Sequence, residues 1–363
     1  MLAVNWDNAL VLQTSFLGDL VLTLPLIAEI RSRFPVRKLS LMCTPLGREL
    51  LQDHPAIDEI LVDDKQRAHR GWRGLTAQAA MLRQQRYTVA LTPHKSARSA
   101  FMLYRANIPQ RIGFRQSKGW FFFHHCAERD PARHDVERNL SVLQPLGVRA
   151  QDCARELELP PLRQIDEAVA DKLRQFGVID GKPAIGVNSA SVWPTKRWWL
   201  EGFAEFIGLL KAKLDCQVLL FGAPEDAEGV KRLFERCGGA ALDLAGKFSL
   251  RELPAAIGRC QVFVTNDSGP MHIAVARKVP TVALFCATTP ELGFYPYSGN
   301  AIVIQKQLGC RPCTSHGGRR CPLVHENCIR QIRAQTVLAA VEKLLAGQAR
   351  GDRERFLPEF LAA

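Results

Sequence analysis

The sequence predicts an α/β protein built from two Rossmann-like domains in tandem. Three observations support this fold class. Short apolar runs alternate with longer helical patterns, as in a parallel sheet covered by helices. The alternation stops and begins again on either side of Pro160 and Pro161, which predicts a linker there. The chain has 363 residues, 47% of them hydrophobic, which is enough for two cores.

We expect a first domain over residues 1–160, a second over residues 161–345 and a helical tail over residues 346–363. In the first domain the patterns predict a helix at residues 20–34 and strands at residues 9–13, 39–43, 59–62 and 89–91. In the second they predict helices at residues 200–214, 224–237, 250–259 and 334–345, and strands at residues 184–188, 217–221, 262–266 and 281–285.

Cysteine content and hydropathy predict the compartment. The chain has eleven cysteines but lacks a basic segment followed by an apolar run near its start, so we expect free thiols in a reducing compartment. No apolar stretch is long enough to cross a bilayer. A cytoplasmic protein is therefore expected.

The net charge of +12 is concentrated in one segment. Residues 65–127 contain twelve Lys or Arg and no Asp or Glu. Random placement would put roughly six acids there. The positive field should therefore lie on the first domain and favour an anionic partner. The candidates are nucleic acid, an anionic membrane surface and a phosphorylated glycolipid.

An aromatic run, residues 120–125 (WFFFHH), interrupts the strand and helix pattern beside this basic segment. It is either core or a surface that touches a bilayer. We favour core, because large aromatic side chains are more often buried than exposed.

Residues 262–276 predict a strand, a tight turn and a helix that together suit an anion. Asp267 can cap the helix, Gly269 lets a ligand approach the backbone, and Pro270 fits the first turn. The free N–H groups of that turn and the helix dipole favour a phosphate. His272 lies one helical turn beyond Ser268, which places an imidazole beside a hydroxyl. A good helix start alone would explain the turn without the histidine.

A second strand and turn near the N-terminus carries Gly18 and Asp19. In open α/β sheets ligands bind at the carboxyl ends of strands, where Asp19 is placed to act as a general base. The alternative from the residues alone is plain capping of the following helix.

Three segments resemble the signature motifs of glycosyltransferase family nine, the bacterial heptosyltransferases. The first loop of that family is similar to residues 15–25 (SFLGDLVLTLP), its K-x-W segment to residues 188–198 (NSASVWPTKRW), and its D-[ST]-G-x-x-H-x-A motif to residues 267–274. The motifs occur in family order across most of the chain. The likeness is greatest to the type II members, partly because of the cysteine-rich segment at residues 310–328.

The resemblance implies a GT-B fold, with two Rossmann-like domains whose parallel sheets face each other across a cleft and a last helix that returns to the first domain. It implies an inverting transferase that moves a heptose from ADP-heptose to the inner core of lipopolysaccharide, on a heptosyl-Kdo-lipid A-type acceptor. No metal is expected in catalysis. Peripheral contact with the cytoplasmic face of the inner membrane is expected, and nucleic acid is not.

With that resemblance, Asp19 is predicted to take the acceptor's proton. Lys196, Ser268 and the following N–H groups would hold the diphosphate, while Asp267 would cap the helix and bind sugar hydroxyls. Glu225 and Asp226 suit ribose hydroxyls, or else complement the dipole of their own helix. The whole nucleotide-sugar set is Ser191, Lys196, Glu225, Asp226, Asp267, Ser268, Gly269 and His272. The acceptor set is Gly18, Arg67, Arg70, Arg73, Lys95, Arg98, Arg115 and Lys118.

A cysteine-rich segment, residues 310–328, holds a further candidate site. The C-x-x-C spacing of Cys310 and Cys313 is one half of a typical structural zinc site, which Cys321 and Cys328 would complete at irregular spacing. Metal-free thiols are the favoured state, and a redox or iron–sulfur role is the other alternative.

Three other functions stay open from the sequence. The chain could be a heptosyltransferase of type I or III, or another sugar-nucleotide transferase of the family. A sugar-nucleotide epimerase of the same fold would turn over donor without acceptor. A nucleic-acid binder would show a steep salt dependence but would leave the turn from Asp267 to His272 unexplained.

Overall fold

The computed structural model describes residues 4–347 and 356–362. The chain divides into two compact units, residues 1–157 and 158–363. Each unit is built around its own parallel sheet.

The helices and strands of the first unit alternate along most of its length. The strands are β1 (Asn8–Leu12), β2 (Lys38–Cys43), β3 (Glu59–Val62), β4 (Val89–Leu91), β5 (Gln110–Phe114) and β6 (His125–Ala127). The helices are α1 (Leu17–Val21), α2 (Leu24–Arg33), α3 (Pro45–Leu51), α4 (Gly71–Gln84), α5 (Ala97–Arg105) and α6 (Asp135–Leu140). The first unit also has 3₁₀ turns at Trp120–Phe122, Ser141–Leu146 and Ala150–Asp152.

The sheet of the first unit has the strand order β3-β2-β1-β4-β5-β6, with every pair parallel. The order reverses between β1 and β4, where Val11 lies beside Leu91. This is the Rossmann order, and its switch point is the place where such sheets bind ligands. Leu10 and Leu12 on β1 are completely buried and pack with Met42 and Ala90 in the core.

The second unit repeats the alternation. Its strands are β7 (Ala184–Asn188), β8 (Gln217–Phe221), β9 (Leu242–Asp243), β10 (Val262–Asn266), β11 (Thr281–Phe285), β12 (Ala301–Gln305) and β13 (Glu359–Ala362). Its helices are α7 (Arg163–Gln175), α8 (Leu200–Lys213), α9 (Ala227–Arg236), α10 (Leu253–Ile257), α11 (Gly269–Ala276), α12 (Asn327–Arg330) and α13 (Ala334–Leu345). Its 3₁₀ turns lie at Pro194–Lys196, Pro224–Asp226 and Pro290–Leu292.

The second sheet has the order β9-β8-β7-β10-β11-β12-β13, again parallel throughout. Its switch point lies between β7 and β10, where Val187 pairs with Val264. Every residue of β7, β8, β10 and β11 is buried, because helices cover both faces of a parallel sheet. The continuous apolar runs of the sequence follow from that burial.

Three sequence expectations are corrected by these elements. The helix expected at residues 20–34 is two helices, α1 and α2, separated at Leu22 and Thr23 before Pro25. The tail expected to be helical forms β13 where it is described, and this strand pairs with β12 of the second sheet. Residues 348–355 of that tail lie outside the described residues.

The third corrected expectation concerns the aromatic run at residues 120–125. Phe123 is buried as expected, but Trp120 is 47% exposed and Phe121 62%. The expectation of core is therefore wrong for those two rings. No helix among residues 4–347 and 356–362 is long and apolar enough to cross a membrane.

Candidate active site

A buried ion pair lies at the switch point of the second sheet. Lys196 ends the 3₁₀ turn that follows β7, and Asp267 follows β10 directly. The ammonium Nζ of Lys196 lies 2.7 Å from Oδ2 of Asp267, and the two side chains are only 14% and 7% exposed. The hydroxyl of Thr288, just beyond β11, donates to the same oxygen at 2.7 Å. One oxygen of Asp267 thus contacts both a cation and a hydroxyl.

The predicted capping role of Asp267 is wrong. The helix α11 begins at Gly269, and the residue at its cap position is Ser268, whose side chain makes no capping bond. The Ser268 hydroxyl instead contacts Nδ2 of Asn188 at 3.2 Å and Oγ1 of Thr265 at 3.3 Å. Tertiary contacts from β7 and β10 therefore replace the local cap that the sequence suggests.

His272 lies inside α11, one turn beyond Ser268, and is 4% exposed. Burial lowers the pKa of its imidazole to about 4; nearby Asp267 acts in the opposite direction, and Lys196 lowers it further. The ring is therefore neutral at pH 7. Its Nδ1 has no hydrogen-bond partner among the described residues. Because an unsatisfied buried polar atom is costly, this nitrogen points to a ligand.

The loop after β7 is tied to the end of β10. The hydroxyl of Ser191 donates to the backbone oxygen of Asp267 at 3.4 Å. The amide of Asn266 accepts from the backbone N–H of Trp198 at 2.9 Å and donates to the carbonyl of Ser189 at 2.9 Å. These bonds fix the loop that carries Lys196. Sequence reasoning missed Asn266, since nothing local marks a side chain that bridges two distant segments.

Glu225 and Asp226 lie in the 3₁₀ turn Pro224–Asp226, at the end of β8. Asp226 accepts from the backbone N–H of Ala223 at 3.2 Å and lies 3.9 Å from the guanidinium of Arg197. These contacts favour the alternative in which Asp226 complements the start of its own helix rather than binding ribose. Glu225 is exposed.

The cysteine-rich segment packs against the loop of Lys196. The hydroxyl of Thr195 accepts from the N–H of Gly318 at 2.8 Å and donates to its carbonyl at 3.0 Å. Gly317 has a φ of +86°, and a Cβ built there would lie 2.8 Å from Cγ of Lys196. Only a residue without a side chain lets the lysine stem keep its place. No local pattern predicts this contact, because Gly317 and Lys196 are far apart along the chain.

The four cysteines do not form a metal site in this arrangement. Sγ of Cys310 contacts Nε2 of His325 at 3.9 Å, and Sγ of Cys313 turns to the carbonyl of Cys310 at 3.6 Å. Within the described part of the chain, no three His, Cys, Asp or Glu side chains are grouped so that they could hold a metal ion. Burial raises the pKa of the Cys328 thiol to about 11, which favours the neutral thiol. The zinc interpretation of Cys310, Cys313, Cys321 and Cys328 therefore finds no support in the geometry.

Asp19 lies within α1, directly after β1, at the switch point of the first sheet. It is not the helix cap, because Phe16 holds that position. Burial raises the pKa of its carboxyl group to about 7, with a further contribution from Asp135, while the backbone N–H groups of Phe16 and Asp19 and the charge of Arg129 act the other way. A carboxylate that takes up its proton near pH 7 is well matched to general-base chemistry.

A polar network surrounds the backbone of Asp19. The hydroxyl of Thr23 donates to the Asp19 carbonyl at 2.8 Å, and Nδ2 of Asn139 lies 3.4 Å from that hydroxyl and 3.4 Å from Oδ2 of Asp135. Asp135 in turn is paired with Arg129 and Arg138. Sequence reasoning missed Asp135, which lies far along the chain.

The predicted acceptor residues fall into two groups. Arg98 donates to Asp63 at 2.9 Å and to the carbonyl of His69 at 3.0 Å, so its charge is used inside the unit. Arg115 lies 3.3 Å from Glu128. The others are exposed and form no ion pair with a carboxylate of the described residues: Arg67, Arg70, Arg73, Lys95 and Lys118. Gly18 is half-buried in α1 beside Asp19.

The family follows from comparison with known proteins. Residues 76–322 match the family model described as glycosyltransferase family 9 (heptosyltransferase). This chain belongs to glycosyltransferase family 9. The chain is therefore a transferase, as its motifs predicted, and family membership favours that interpretation over the epimerase and the nucleic-acid binder.

Relatives of this chain in the family carry heptosyltransferase names. Lipopolysaccharide heptosyltransferase 2 of Escherichia coli K12 is 28% identical over 83% of this chain and 88% of its own length. Lipooligosaccharide heptosyltransferase 2 of Campylobacter jejuni is 26% identical over 91% and 96%. Lipopolysaccharide heptosyltransferase 3 of E. coli is 28% identical over 93% and 98%. The likeness to type II members is confirmed.

Solved structures show the same fold. The E. coli ADP-heptose LPS heptosyltransferase II matches with a TM-score of 0.77 at 26% identity, over 94% of this chain and 99% of that one. A family 9 glycosyltransferase from Veillonella parvula matches with a TM-score of 0.83 at 25% identity, over 95% and 99%. The GT-B class predicted from the sequence is confirmed.

Proposed function

We propose that this glycosyltransferase moves a heptose, with inversion, from ADP-heptose to the inner core of lipopolysaccharide, on a heptosyl-Kdo-lipid A-type acceptor. The observation that carries the proposal is the group at the switch point of the second sheet. There a buried ammonium, its carboxylate and an unpartnered imidazole nitrogen lie at the start of one helix. Such a group suits a diphosphate attached to a sugar.

Lys196 would receive the diphosphate of the donor. An ammonium has three N–H donors, so it can keep its bond to Asp267 and still donate to phosphate oxygens. As the bond to the sugar breaks, negative charge grows on the departing ADP, and the lysine and the N-terminal end of α11 stabilise that charge. Metal ions take no part in this proposal. Asp267 has the role of holding Lys196 rather than binding sugar hydroxyls.

His272, Ser268 and Gly269 would complete the donor site. The neutral imidazole can present Nδ1 either as a donor to a phosphate oxygen or as an acceptor for a sugar hydroxyl. The exposed carboxylate of Glu225, at the end of β8, would accept the two ribose hydroxyls. Asp226 would support that turn, and Ser191 would hold the loop of Lys196.

Asp19 would take the proton of the acceptor hydroxyl as that oxygen attacks the anomeric carbon. The carbon–oxygen bond to ADP breaks on the opposite face of the sugar, the electron pair leaves with the diphosphate, and the transition state resembles an oxocarbenium ion. Because burial raises the pKa of Asp19 to about 7, its carboxylate is a stronger base than an exposed aspartate.

The exposed basic residues of the first unit would bind the phosphates and acidic sugars of the acceptor. Replacing Arg67, Arg70 and Arg73 together by glutamine should raise the acceptor's KM and leave that of the donor unchanged. Added salt should act in the same direction, since exposed charges are screened within about 8 Å at physiological ionic strength. Equal acceptor KM values at low salt would remove these arginines from the site. We place the reaction at the cytoplasmic face of the inner membrane, where a lipid-linked acceptor would be reached.

Mass spectrometry of the products tests the whole proposal. The purified protein is mixed with ADP-heptose and a series of truncated lipopolysaccharides, and a gain of one heptose is sought on each. Type II specificity predicts transfer to an acceptor that already carries one heptose. The similarity to heptosyltransferase 3 supports a second candidate, a type III specificity, which would require a longer acceptor. Loss of heptose from the donor without any elongated acceptor would refute both.

A further inference from the structure

Six aromatic side chains of the first unit form one connected surface cluster. We call Trp72, Phe101, Tyr104, Trp120, Phe121 and Phe122 the aromatic patch. Ring centroids of successive members lie 4.4–6.2 Å apart, from Trp72 through Phe101 and Phe122 to Phe121 and Trp120. Tyr104 joins Phe122 at 5.0 Å. The rings come from α4, α5 and the 3₁₀ turn Trp120–Phe122.

Four of these rings face solvent to an unusual degree. Trp72 is 66% exposed, Phe121 62%, Tyr104 49% and Trp120 47%. Single exposed aromatics are ordinary, but a contiguous exposed apolar surface marks an interaction site. None of the four is needed to fill the core of the unit.

The patch rests on a rigid base. The buried guanidinium of Arg111 donates to the carbonyl of Phe122 at 2.7 Å and to that of Ile108 at 2.6 Å. A Cβ built on Gly119 would lie 2.8 Å from Cβ of Ala100, so the 3₁₀ turn sits directly on α5. The 3₁₀ turn that carries Trp120 and Phe121 is therefore anchored by buried contacts.

The surroundings of the patch are positively charged. Exposed basic residues neighbour three of its rings in the chain: Arg73 follows Trp72, Arg105 follows Tyr104, and Lys118 precedes Trp120 by two positions. The guanidinium of Arg115 lies 5.6 Å from the centroid of Trp120. The segment contains no acid between Asp64 and Glu128, and Glu128 is paired with Arg115.

The exposed aromatic rings and the positive charge together indicate which partner fits the patch. Trp and Tyr prefer the boundary between lipid headgroups and acyl chains, and Lys and Arg are drawn to anionic lipids. A second copy of the chain in a two-fold contact would bring the same positive surface against itself, which is unfavourable. Nucleic acid would use the charges but not a continuous apolar face.

We propose that the aromatic patch is a membrane-contact surface, which inserts its exposed rings among the headgroups of an anionic bilayer while the neighbouring basic residues contact lipid phosphates. No helix of the described chain spans the bilayer, so contact of this kind would be peripheral and reversible. The proposal does not depend on which sugar is transferred.

Binding to vesicles tests it. The full chain is sedimented with vesicles of equal parts phosphatidylethanolamine and phosphatidylglycerol, and with vesicles of phosphatidylcholine alone. We expect binding to the anionic vesicles, weakened by salt, and at least about a tenfold loss of partitioning in the double variant Trp72→Ser, Phe121→Ser. The matched control is Leu46→Ser, Ile179→Ser, which removes two side chains that are 56% and 60% exposed outside the patch.

A second measurement reports contact with the lipid itself. Vesicles whose acyl chains carry bromine should quench the fluorescence of the parent protein, and Trp72→Phe and Trp120→Phe should each remove part of that quenching. Absence of parent binding to anionic vesicles, or equal binding by the patch variant and the parent, would overturn the proposal. Conversion of a parent dimer to a monomer by the patch variant, without vesicle binding, would assign the patch to self-association instead.

Two acceptors separate this inference from the proposed function. Transfer to a delipidated, water-soluble acceptor should be the same in the parent and the patch variant, whereas transfer to an acceptor embedded in vesicles should fall in the variant alone. If the parent transfers no sugar to either acceptor, the proposed function fails while vesicle binding still decides the role of the patch.

Discussion

Replacing Asp19 by asparagine should change both the rate of transfer and its dependence on pH. In the parent, the carboxylate that accepts the proton forms as pH rises through about 7, the value to which burial raises the pKa of Asp19. The rate should therefore climb with pH and be half-maximal near pH 7. Loss of a positioned general base costs about a hundredfold or more. The variant should lose that factor, and with it the rise near pH 7, while ADP affinity by calorimetry stays close to that of the parent.

The same substitution should stabilise the protein above neutral pH. Well below pH 3.8, the ordinary pKa of an aspartate, the carboxyl group is protonated in the folded and the unfolded chain alike. As pH rises from there to about 7, the unfolded chain loses the proton while the folded chain keeps it, so stability falls. One pH unit corresponds to about 1.4 kcal/mol, which sets an upper limit of about 4 kcal/mol above pH 7. Because the side chain keeps some contact with solvent, we expect about 1–3 kcal/mol.

Urea unfolding at pH 5 and pH 8 measures this effect. The advantage of Asp19→Asn over the parent should be larger at pH 8 than at pH 5. Asp7→Asn is the control, since that carboxylate is 59% exposed and lies 4.0 Å from its partner Arg37. An advantage that does not vary with pH, or a variant less stable than the parent at pH 8, would contradict the burial argument. Activity within a few fold of the parent would show that Asp19 is not the base.

The remaining predictions concern residues around Lys196 and around Asp19. Lys196→Ala should weaken ADP binding by calorimetry and slow transfer together, because one charge serves the bound nucleotide and the leaving group; unchanged ADP affinity would exclude the assignment. Asp135→Asn should lower the pKa of Asp19 and move the acid side of the pH–rate profile to lower pH, and an unmoved profile would contradict the coupling. Gly317→Ala should weaken ADP binding by pushing the lysine stem aside. Its control is Gly181→Ala, whose φ of +77° gives similar backbone strain but whose added Cβ would meet no atom within 4 Å, so ADP binding should hold.

The strands were the most predictable part of this fold. The structure gives Ala184–Asn188, Gln217–Phe221, Val262–Asn266 and Thr281–Phe285 the limits that their continuous apolar runs predict. Burial on both faces explains why those runs are uninterrupted. The strand Gln110–Phe114 escaped prediction because it contains Arg111, whose buried guanidinium is satisfied by the carbonyls of Ile108 and Phe122.

The candidate site likewise contains residues that the sequence predicts and residues that it does not. The turn that carries Ser268, Gly269 and His272 was predictable because its strand, turn and helix are adjacent in sequence. The pairing of Asp267 with Lys196 was not, since it joins residues 71 positions apart and displaces the local cap that propensity favours. Thr288 and Gly317 were missed for the same reason. The roles of these residues in catalysis stay predictions.

The pairing of Lys196 with Asp267 has a consequence for the release of ADP. A buried ammonium without an internal counter-ion would hold the product diphosphate tightly and slow turnover, because dissociation would leave an uncompensated charge in a region of low dielectric. Here the carboxylate of Asp267 lies 2.7 Å from the ammonium, so Lys196 keeps a counter-ion when the nucleotide departs. We expect this built-in counter-ion to favour fast exchange of ADP over tight retention of it.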